Sequence, residues 1–192
     1  MTEKLDTGAL LRKNRAELEA ALSQLEPIED QIGAAAQAML DAIKAGGKIL
    51  VAGNGGSAAE AQHLTSELVG RFVDERRAIP ALCLHGDSSA VTAISNDYGY
   101  ERVFARQVEA HGQRGDVLVL LSTSGASANL IEAARTGTEM GLTTIGILGR
   151  TRRALHELVG ISIEVPSDYQ PAVQEMHLFL VHALTGIIEA GL

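Results

Sequence analysis

Apolar runs of four to six residues alternate along the chain with longer segments of helical composition. Five of these runs have the length and composition of buried strands, at residues 49–52, 79–84, 116–121, 143–148 and 161–165. The intervening and following segments predict helices at residues 57–71, 90–95, 101–110, 128–140, 151–159 and 172–190. Because strands alternate with helices, we predict an α/β fold with a parallel sheet covered on both faces.

Two further helices are predicted before the first strand, at residues 7–25 and 28–45. Pro27 opens the second helix, and Gly46 with Gly47 ends it. Neither helix has a place inside a β-α-β unit, so we expect them at the sheet edge or against another subunit. No linker divides the chain. We therefore predict one domain over residues 1–192, with an N-terminal helical segment (1–46) and a sheet-and-helix core (47–192).

A Gly-rich turn, residues 53–57, separates the first strand from its helix. Glycines allow close backbone approach and a helix start offers free N–H groups, so this turn is a natural anion site. It lacks the Lys-Ser/Thr of a P-loop and the third glycine of a dinucleotide-binding motif. On the helix that follows, Glu60, His63 and Glu67 lie on one side. His63 and Glu67 form either a surface pair, a metal site, or a base with its partner.

The third strand is also followed by a loop of small residues and then a helix. Its hydroxyl side chains are Ser122, Thr123, Ser124 and Ser127. Ser and Thr are common helix caps, but one hydroxyl is enough for a cap. Four in six residues favour a phosphate site. Ligands bind at the carboxyl ends of parallel strands, so both loops are expected to line one crevice.

Three more candidates lie elsewhere in the chain. Gln174 and His182 belong to a strongly apolar C-terminal helix, where a single histidine is more often a core residue than a catalyst. Asn96 and Asp97 fit either a turn between two helices or a ligand-binding loop. Gln174 and His182 are eight residues apart, about 12 Å along a helix and about 80° around it. Their convergence needs long side-chain reach, ligands from different subunits, or Gln174 ahead of the regular helix.

Composition and charge narrow the function classes. The net charge of −8, the 3% aromatic content and the absence of Trp argue against a nucleic-acid partner. No apolar run reaches membrane-spanning length, and the charged N-terminal residues are unlike a signal peptide. The single cysteine, Cys83, fits a reducing compartment and the role of a small buried residue. We therefore expect a cytoplasmic protein.

Together these residues resemble the sedoheptulose-7-phosphate isomerases, or phosphoheptose isomerases, of the sugar isomerase (SIS) superfamily. The resemblance extends from residue 44 to 190, through AGNGGSAAEAQH, SELVGR, SNDYGY, STSGASAN and VQEMHLFLVH. It implies a five-stranded parallel sheet between helices, a homotetramer with active sites between subunits, and a phosphorylated sugar as substrate. The implied reaction interconverts sedoheptulose 7-phosphate and D-glycero-D-manno-heptose 7-phosphate.

The resemblance also implies roles for individual residues. It places the substrate near Asn54, Gly55, Gly56, Glu67, Asn96, Asp97 and Gln174, and the phosphate at Ser122, Thr123, Ser124 and Ser127. It implies one zinc ion per subunit, held by His63, Glu67, Gln174 and His182. Glu67 would be the catalytic base and His182 its acid partner. A zinc-bound carboxylate is a weaker base, so Glu67 alternates between roles, or the metal is structural or inhibitory.

Three positions depart from the family pattern. Glu60 stands where Asp is usual, Ala126 replaces an Asn, and residues 149–153 (GRTRR) replace a Gly/Asp-rich turn. These changes lie near the expected sugar site and leave the substrate open. The alternatives are isomerisation of another long-chain ketose phosphate, and a non-catalytic phosphosugar-binding or protein-interaction module on the same fold. A related branch of interaction modules lacks the pair that this chain has at Glu67 and His182.

Overall fold

A computed structural model describes residues 6–192, which form one parallel sheet between two layers of helices. The strands are β1 (Ile49–Gly53), β2 (Ala81–Cys83), β3 (Val117–Ser122), β4 (Thr143–Leu148) and β5 (Ile161–Glu164). Their order across the sheet is β2-β1-β3-β4-β5, and every neighbouring pair is parallel. The predicted α/β fold with five parallel strands is confirmed.

Eight α-helices and two short 3₁₀ helices connect and cover the strands within the described residues. The α-helices are α1 (Thr7–Leu22), α2 (Glu29–Lys44), α3 (Gly56–Val69), α4 (Ser88–Tyr98), α5 (Val103–His111), α6 (Ala128–Met140), α7 (Ala154–Leu158) and α8 (Gln170–Gly191). The 3₁₀ helices are Glu26–Ile28 and Tyr100–Arg102. No helix among residues 6–192 is long and apolar enough to cross a membrane.

The two faces of the sheet bury separate apolar clusters because successive strand residues point to opposite sides. In β3, Val119 faces a cluster that α2, α3 and α8 supply, whereas Leu118 and Leu120 face a cluster from α5, α6 and α7. Every residue of β1 and β3 is buried. Both faces of these central strands are therefore covered, as their continuous apolar runs predict.

One local prediction is wrong, and for α2 only the alternative of contact with another subunit stays a prediction. Helix α2 packs on the face of the sheet rather than at its edge, since Ile32, Met39 and Ile43 belong to the same buried cluster as β1. Residues 96 and 97 lie in the last turn of α4, not in a loop between helices. Asp87 caps α4, with its carboxylate accepting from the N–H groups of residues 89 and 90, so the helix starts early and continues to residue 98.

Glu189, near the end of α8, fastens the segment that follows α3. Its carboxylate accepts hydrogen bonds from the backbone N–H groups of Val73 and Asp74, both at 2.9 Å, and of Phe72 at 3.3 Å. Arg76 Nε lies 3.1 Å from the same carboxylate. The Arg76 guanidinium also donates to backbone carbonyls at the end of α3, including that of Leu68. The end of α3 and its following loop are thereby tied to α8.

This clamp makes a pH-dependent contribution to stability. The N–H donors, that of Asp74 foremost, lower the pKa of Glu189 below its usual 4.5, and Arg76 adds to the effect. A carboxylate with a lowered folded-state pKa stabilises the fold at pH values above its unfolded pKa, and this contribution is lost as pH falls. Glu189→Gln should therefore unfold at lower urea concentration than the parent at pH 7. The gap should narrow as pH falls to about 4 and below.

Glu19→Gln is the matched control, because Glu19 forms an exposed pair with Arg15 on α1. Exposed pairs contribute little, so this variant should follow the parent at every pH. A Glu189→Gln deficit that stayed constant from pH 7 to about 3 would show that the carboxylate charge contributes nothing to the clamp.

Candidate active site

The β1–α3 turn brings backbone and an amide side chain close together. Gly55 precedes α3 with a φ of 57°, a conformation that suits glycine, and no side chain caps this helix. At the next residue, Gly56, the Gln174 side-chain amide occupies the space where a Cβ would lie. The turn therefore places Gln174 of α8 at the N-terminus of α3, where the N–H groups of a helix start face outward.

The second predicted loop does not use its hydroxyls to cap α6. Ser127 precedes α6 in an extended conformation and makes no side-chain capping bond. The hydroxyl of Ser122 instead accepts from the N–H of Gly125 at 3.0 Å, and that of Ser124 from the N–H of Ala126 at 3.3 Å. Ordinary N-capping therefore does not explain the four hydroxyls, and the start of α6 retains its ability to bind an anion.

The two loops face one another across a small cavity of about 90 Å³. It is lined by Asn54, Ser57, Leu121, Ser122, Thr123, Ser124 and Ser127. Pockets that enclose whole small molecules usually measure roughly 300–1,000 Å³, so this one suits a single compact group such as phosphate. All four predicted hydroxyl residues and Asn54 thus meet at the carboxyl ends of β1 and β3.

Two residues that sequence reasoning did not assign hold Asn54 in place. The amides of Asn54 and Asn129 exchange two hydrogen bonds, both at 2.9 Å. The Tyr100 hydroxyl donates to Asn54 Oδ1 at 3.0 Å. Both partners lie inside motifs that carry the family resemblance, STSGASAN and SNDYGY. That position was the only available signal, since neither residue type indicates a site by itself.

Asn96 and Asp97 do not join this network. Their side chains are exposed on α4 and bond to one another, with Asn96 Nδ2 at 2.8 Å from Asp97 Oδ1. Neither lines the small cavity between the two loops. The neighbouring residue that reaches the loops is Tyr100.

A second cluster forms between α3 and α8. His63 Nε2 lies 2.9 Å from His182 Nε2 and 3.3 Å from Glu67 Oε1. One atom from each of these three side chains lies within 4.8 Å of the others, as the ligands of one ion must. Two imidazole nitrogens and a carboxylate oxygen are donors that zinc accepts, so the residues present fit this metal.

The Phe72 ring packs against the His182 ring. The two rings stack with centroids 5.4 Å apart and an angle of 25° between their planes. Because the Glu189 clamp binds the backbone at Phe72, it also positions this ring. Sequence analysis did not identify Phe72, whose role depends on a loop contact far along the chain.

Gln174 is separated from this cluster within the chain. It lies inside regular α8, one residue after Val173, and touches Gly56 rather than His63. The contacts Gly56–Gln174, Glu60–His177 and His63–His182 occur in the same order along both helices. Helices α3 and α8 therefore run parallel, and their pairing holds Gln174 about two turns from His182.

A larger cavity of about 530 Å³ lies beside the loop of residues 122–127, called the serine loop below. It shares Thr123 and Ser124 with the small cavity, and Arg150 and Arg153 add positive charge to its wall. Among residues 6–192, neither arginine forms an ion pair within 4 Å, whereas Arg152 pairs with Glu157 and Glu164. The departure at residues 149–153 thus brings two available cations beside the loop.

A buried histidine holds these arginines in place. His156 Nε2 is 2.9 Å from the carbonyl oxygen of Gly149, and its Nδ1 accepts from the N–H of Arg153 at 3.0 Å. The ring also fills the space where a side chain at Gly125 would lie, and Gly125 has a φ of 62°. His156 therefore braces the turn against the serine loop, a structural role.

The surroundings of Cys83 favour the protonated thiol. Burial raises the pKa of the Cys83 thiol to about 11, despite a hydrogen bond involving His85 that lowers it. The thiol is therefore protonated at neutral pH, and the reactive form is the thiolate.

Comparison with known proteins agrees with these features. The SIS domain model matches residues 14–149. The chain is 46% identical over 192 residues to the phosphoheptose isomerase of Geobacter metallireducens, covering 100% of this chain and 99% of that protein. It is 44% identical over 182 residues to that of Aliarcobacter butzleri, covering 95% and 96%.

A solved structure gives the same result. The phosphoheptose isomerase of Francisella tularensis superposes with a TM-score of 0.92 at 34% identity, covering 97% of this chain and 100% of that one. Sequence and fold match over nearly the full length of these proteins, so the chain belongs to the phosphoheptose isomerase family of SIS-domain proteins.

Proposed function

We propose that this protein interconverts sedoheptulose 7-phosphate and D-glycero-D-manno-heptose 7-phosphate. The observation that carries the proposal is the convergence of His63, Glu67 and His182 between two helices, in a chain that also has a phosphate-sized cavity at its serine loop. Incubation with sedoheptulose 7-phosphate, with and without zinc, and detection of the aldose by NMR tests it.

The reaction moves a proton between adjacent carbons through an enediol. It needs a base for the carbon-bound proton and an acid that serves the neighbouring oxygens. In our assignment Glu67 is the base and His182 the acid, with Phe72 and His63 fixing the His182 ring. Ser122, Thr123, Ser124 and Ser127 hold the phosphate, and Asn54, Gly55, Gly56 and Gln174 line the sugar. Asn96 and Asp97, which the resemblance also places near the sugar, lie outside the site of their own chain.

We assign zinc as the metal, with His63, Glu67 and His182 as ligands from this chain. A ligand atom that holds the ion cannot also transfer a proton, so in this proposal Glu67 and His182 alternate between metal binding and proton transfer. When bound, the ion would polarise the oxygens of the reacting carbons. Gln174, the fourth ligand suggested by the resemblance, touches Gly56 within the same chain. We therefore assign Gln174 to the sugar rather than to the metal of its own subunit.

We also propose a homotetramer. Helix α8 exposes three large apolar side chains, Leu178 at 38%, Phe179 at 41% and Ile187 at 46%. Leu178 and Phe179 are neighbours, and adjoining exposed apolar side chains are typical of an interface between chains. We further propose that residues 1–192 act as one domain, since α1 and α2 contribute to the same buried cluster as α8. A cytoplasmic location is also part of the proposal.

The two alternative functions predict different results in this assay. Faster turnover of another ketose phosphate would reassign the substrate, and the arginine-bearing turn at residues 149–153 is the feature that favours a distinct sugar. Binding of phosphosugar without turnover, with or without zinc, would identify a non-catalytic module.

Glu67→Gln and His182→Gln should each lower kcat by at least about two orders of magnitude, the usual contribution of an acid or base. Each variant keeps a side chain of similar polarity, so folding and oligomer mass should not change. Steady-state kinetics with circular dichroism measures both. Glu139→Gln, at an exposed position of α6, is the control and should retain parental activity. Parental turnover in either site variant would remove that residue from the mechanism.

Zinc should raise the melting temperature of the parent, because the unfolded chain offers no preformed site. Zinc affinity should fall as pH drops through about 6.5, since histidine binds metal only when deprotonated. His63→Ala should abolish zinc binding and the thermal shift, while His111→Ala, at an exposed position of α5, should leave both unchanged. Elemental analysis and titration calorimetry that found no zinc binding in the parent would remove the metal from the proposal.

Arg150→Gln and Arg153→Gln should each raise KM for the phosphorylated substrate about threefold, as expected for charge pairs at a solvent-open site. High salt should shrink the effect, and kcat should stay near parental. Arg152→Gln removes the same charge from the same turn, but Arg152 already pairs with Glu157 and Glu164. If all three variants raised KM equally, net charge alone would explain the effect.

A further inference from the structure

The middle contact between α3 and α8 is a buried pair of titratable side chains. His177 Nδ1 lies 3.2 Å from Glu60 Oε2. The histidine is 0% exposed and the glutamate 8%. Neither residue belongs to the cluster of His63, Glu67 and His182, and the mechanism proposed above gives neither a task.

Stability does not account for this pair. The other ring nitrogen of His177, Nε2, has no hydrogen-bond partner among the described residues. A buried polar atom without a partner is destabilising. Apolar residues of similar volume at the positions of a buried ionic pair often give equal or greater stability.

The position of the pair suggests another role. It lies between the Gly56–Gln174 contact and the His63–His182 contact, on two helices that run parallel. The side chains around it in the interface are apolar and buried, among them Ala61, Leu64, Met176, Leu180 and Val181. Apolar surfaces tolerate small slips between helices, whereas a hydrogen bond fixes both distance and direction.

We propose that Glu60 and His177 are positioning residues that set the register of α3 against α8. In this register the His63 and Glu67 side chains of α3 meet His182 of α8. Each partner is one helical turn from a site residue, Glu60 from His63 and His177 from Gln174, so a slip at the pair moves the site directly. The inference rests on the proposed function in that the cluster is the metal and acid/base centre.

The test replaces the pair by an apolar pair of similar size, Glu60→Met with His177→Leu. The double variant should fold, with a melting temperature near or above that of the parent. Its zinc affinity should fall at least about tenfold, the usual cost of losing groups that orient metal ligands. Its kcat should fall similarly, while KM changes less than about threefold, because the phosphate loop is elsewhere.

Thr185→Val is the matched control. Thr185 is also fully buried on α8, but its hydroxyl donates to the Val181 carbonyl of its own helix at 2.8 Å. This change removes a buried polar group without touching the contact between helices. Zinc affinity and kcat should therefore remain parental in the control.

Single variants keep the test decisive if the double variant fails to fold. Glu60→Gln retains the side-chain length and an acceptor for His177 Nδ1, so it should hold zinc affinity within about threefold of the parent. Glu60→Met has similar size but no acceptor and should lose at least about tenfold. Equal zinc affinities in the Met and Gln variants would overturn the proposal, as would parental affinity in the double variant.

Metal affinity and turnover separate this inference from the proposed function. A parent that binds zinc but turns over no ketose phosphate would refute the isomerase and still test the register. If the parent bound no zinc, a crystal structure of the double variant decides. The His63 and His182 Nε2 atoms, now 2.9 Å apart, should no longer be within hydrogen-bond distance. An unchanged separation would show that the Glu60–His177 pair does not set the register of the two helices.

Discussion

The parallel packing of α3 against α8 is the constraint on which the candidate site depends. Both helices are amphipathic toward the same sheet face, and each contributes residues to one buried cluster with β1 and β3. Within that contact, Glu60 lies against His177 and His63 lies against His182. The spacing along each helix then decides which side chains can share an ion or a proton. Glu67 joins because it follows His63 by one turn.

The sheet supplies the other half of the geometry. Parallel strands end at one edge, and β1 and β3 are neighbours, so the Gly-rich turn and the serine loop must face one another. The phosphate-sized cavity is a consequence of strand order rather than of any single residue. The next neighbour, β4, brings the turn that carries Arg150 and Arg153 beside the same loop. Positive charge for an anion therefore comes from the turn after β4, and hydrogen-bond donors come from the loops after β1 and β3.

The sequence was sufficient for the fold and for these two loops, because both depend on local patterns that recur along the chain. Apolar runs fixed the strands, and hydroxyl density identified the serine loop. It was insufficient where a contact joins distant segments. Phe72, Tyr100 and Asn129 act through partners far away in the chain, at His182 and Asn54. Their residue types carry no signal without a three-dimensional neighbour.

Gln174 and residues 96–97 are positions where sequence patterns left the structure open or predicted it wrongly. A one-dimensional pattern left three ways for Gln174 to approach His182. The regular helix from residue 170 removes the one that placed Gln174 ahead of it. Asn96 and Asp97 read as a turn because Asn and Asp favour turns, yet a capped helix continues through both. Propensity is a weak guide where a cap and tertiary packing determine the helix end.

The exposed side of the His63–Glu67–His182 cluster connects the candidate site with assembly of the proposed tetramer. The His63 side chain is 39% exposed and that of Glu67 is 19%, whereas electrostatic interactions in catalysis strengthen as water is excluded. On α8, Leu178 and Phe179 precede His182 by four and three residues, so they share its side of the helix. A subunit that buried these two apolar side chains would also cover His182. In the proposed tetramer, the surface that drives association and the surface that closes the site are therefore the same.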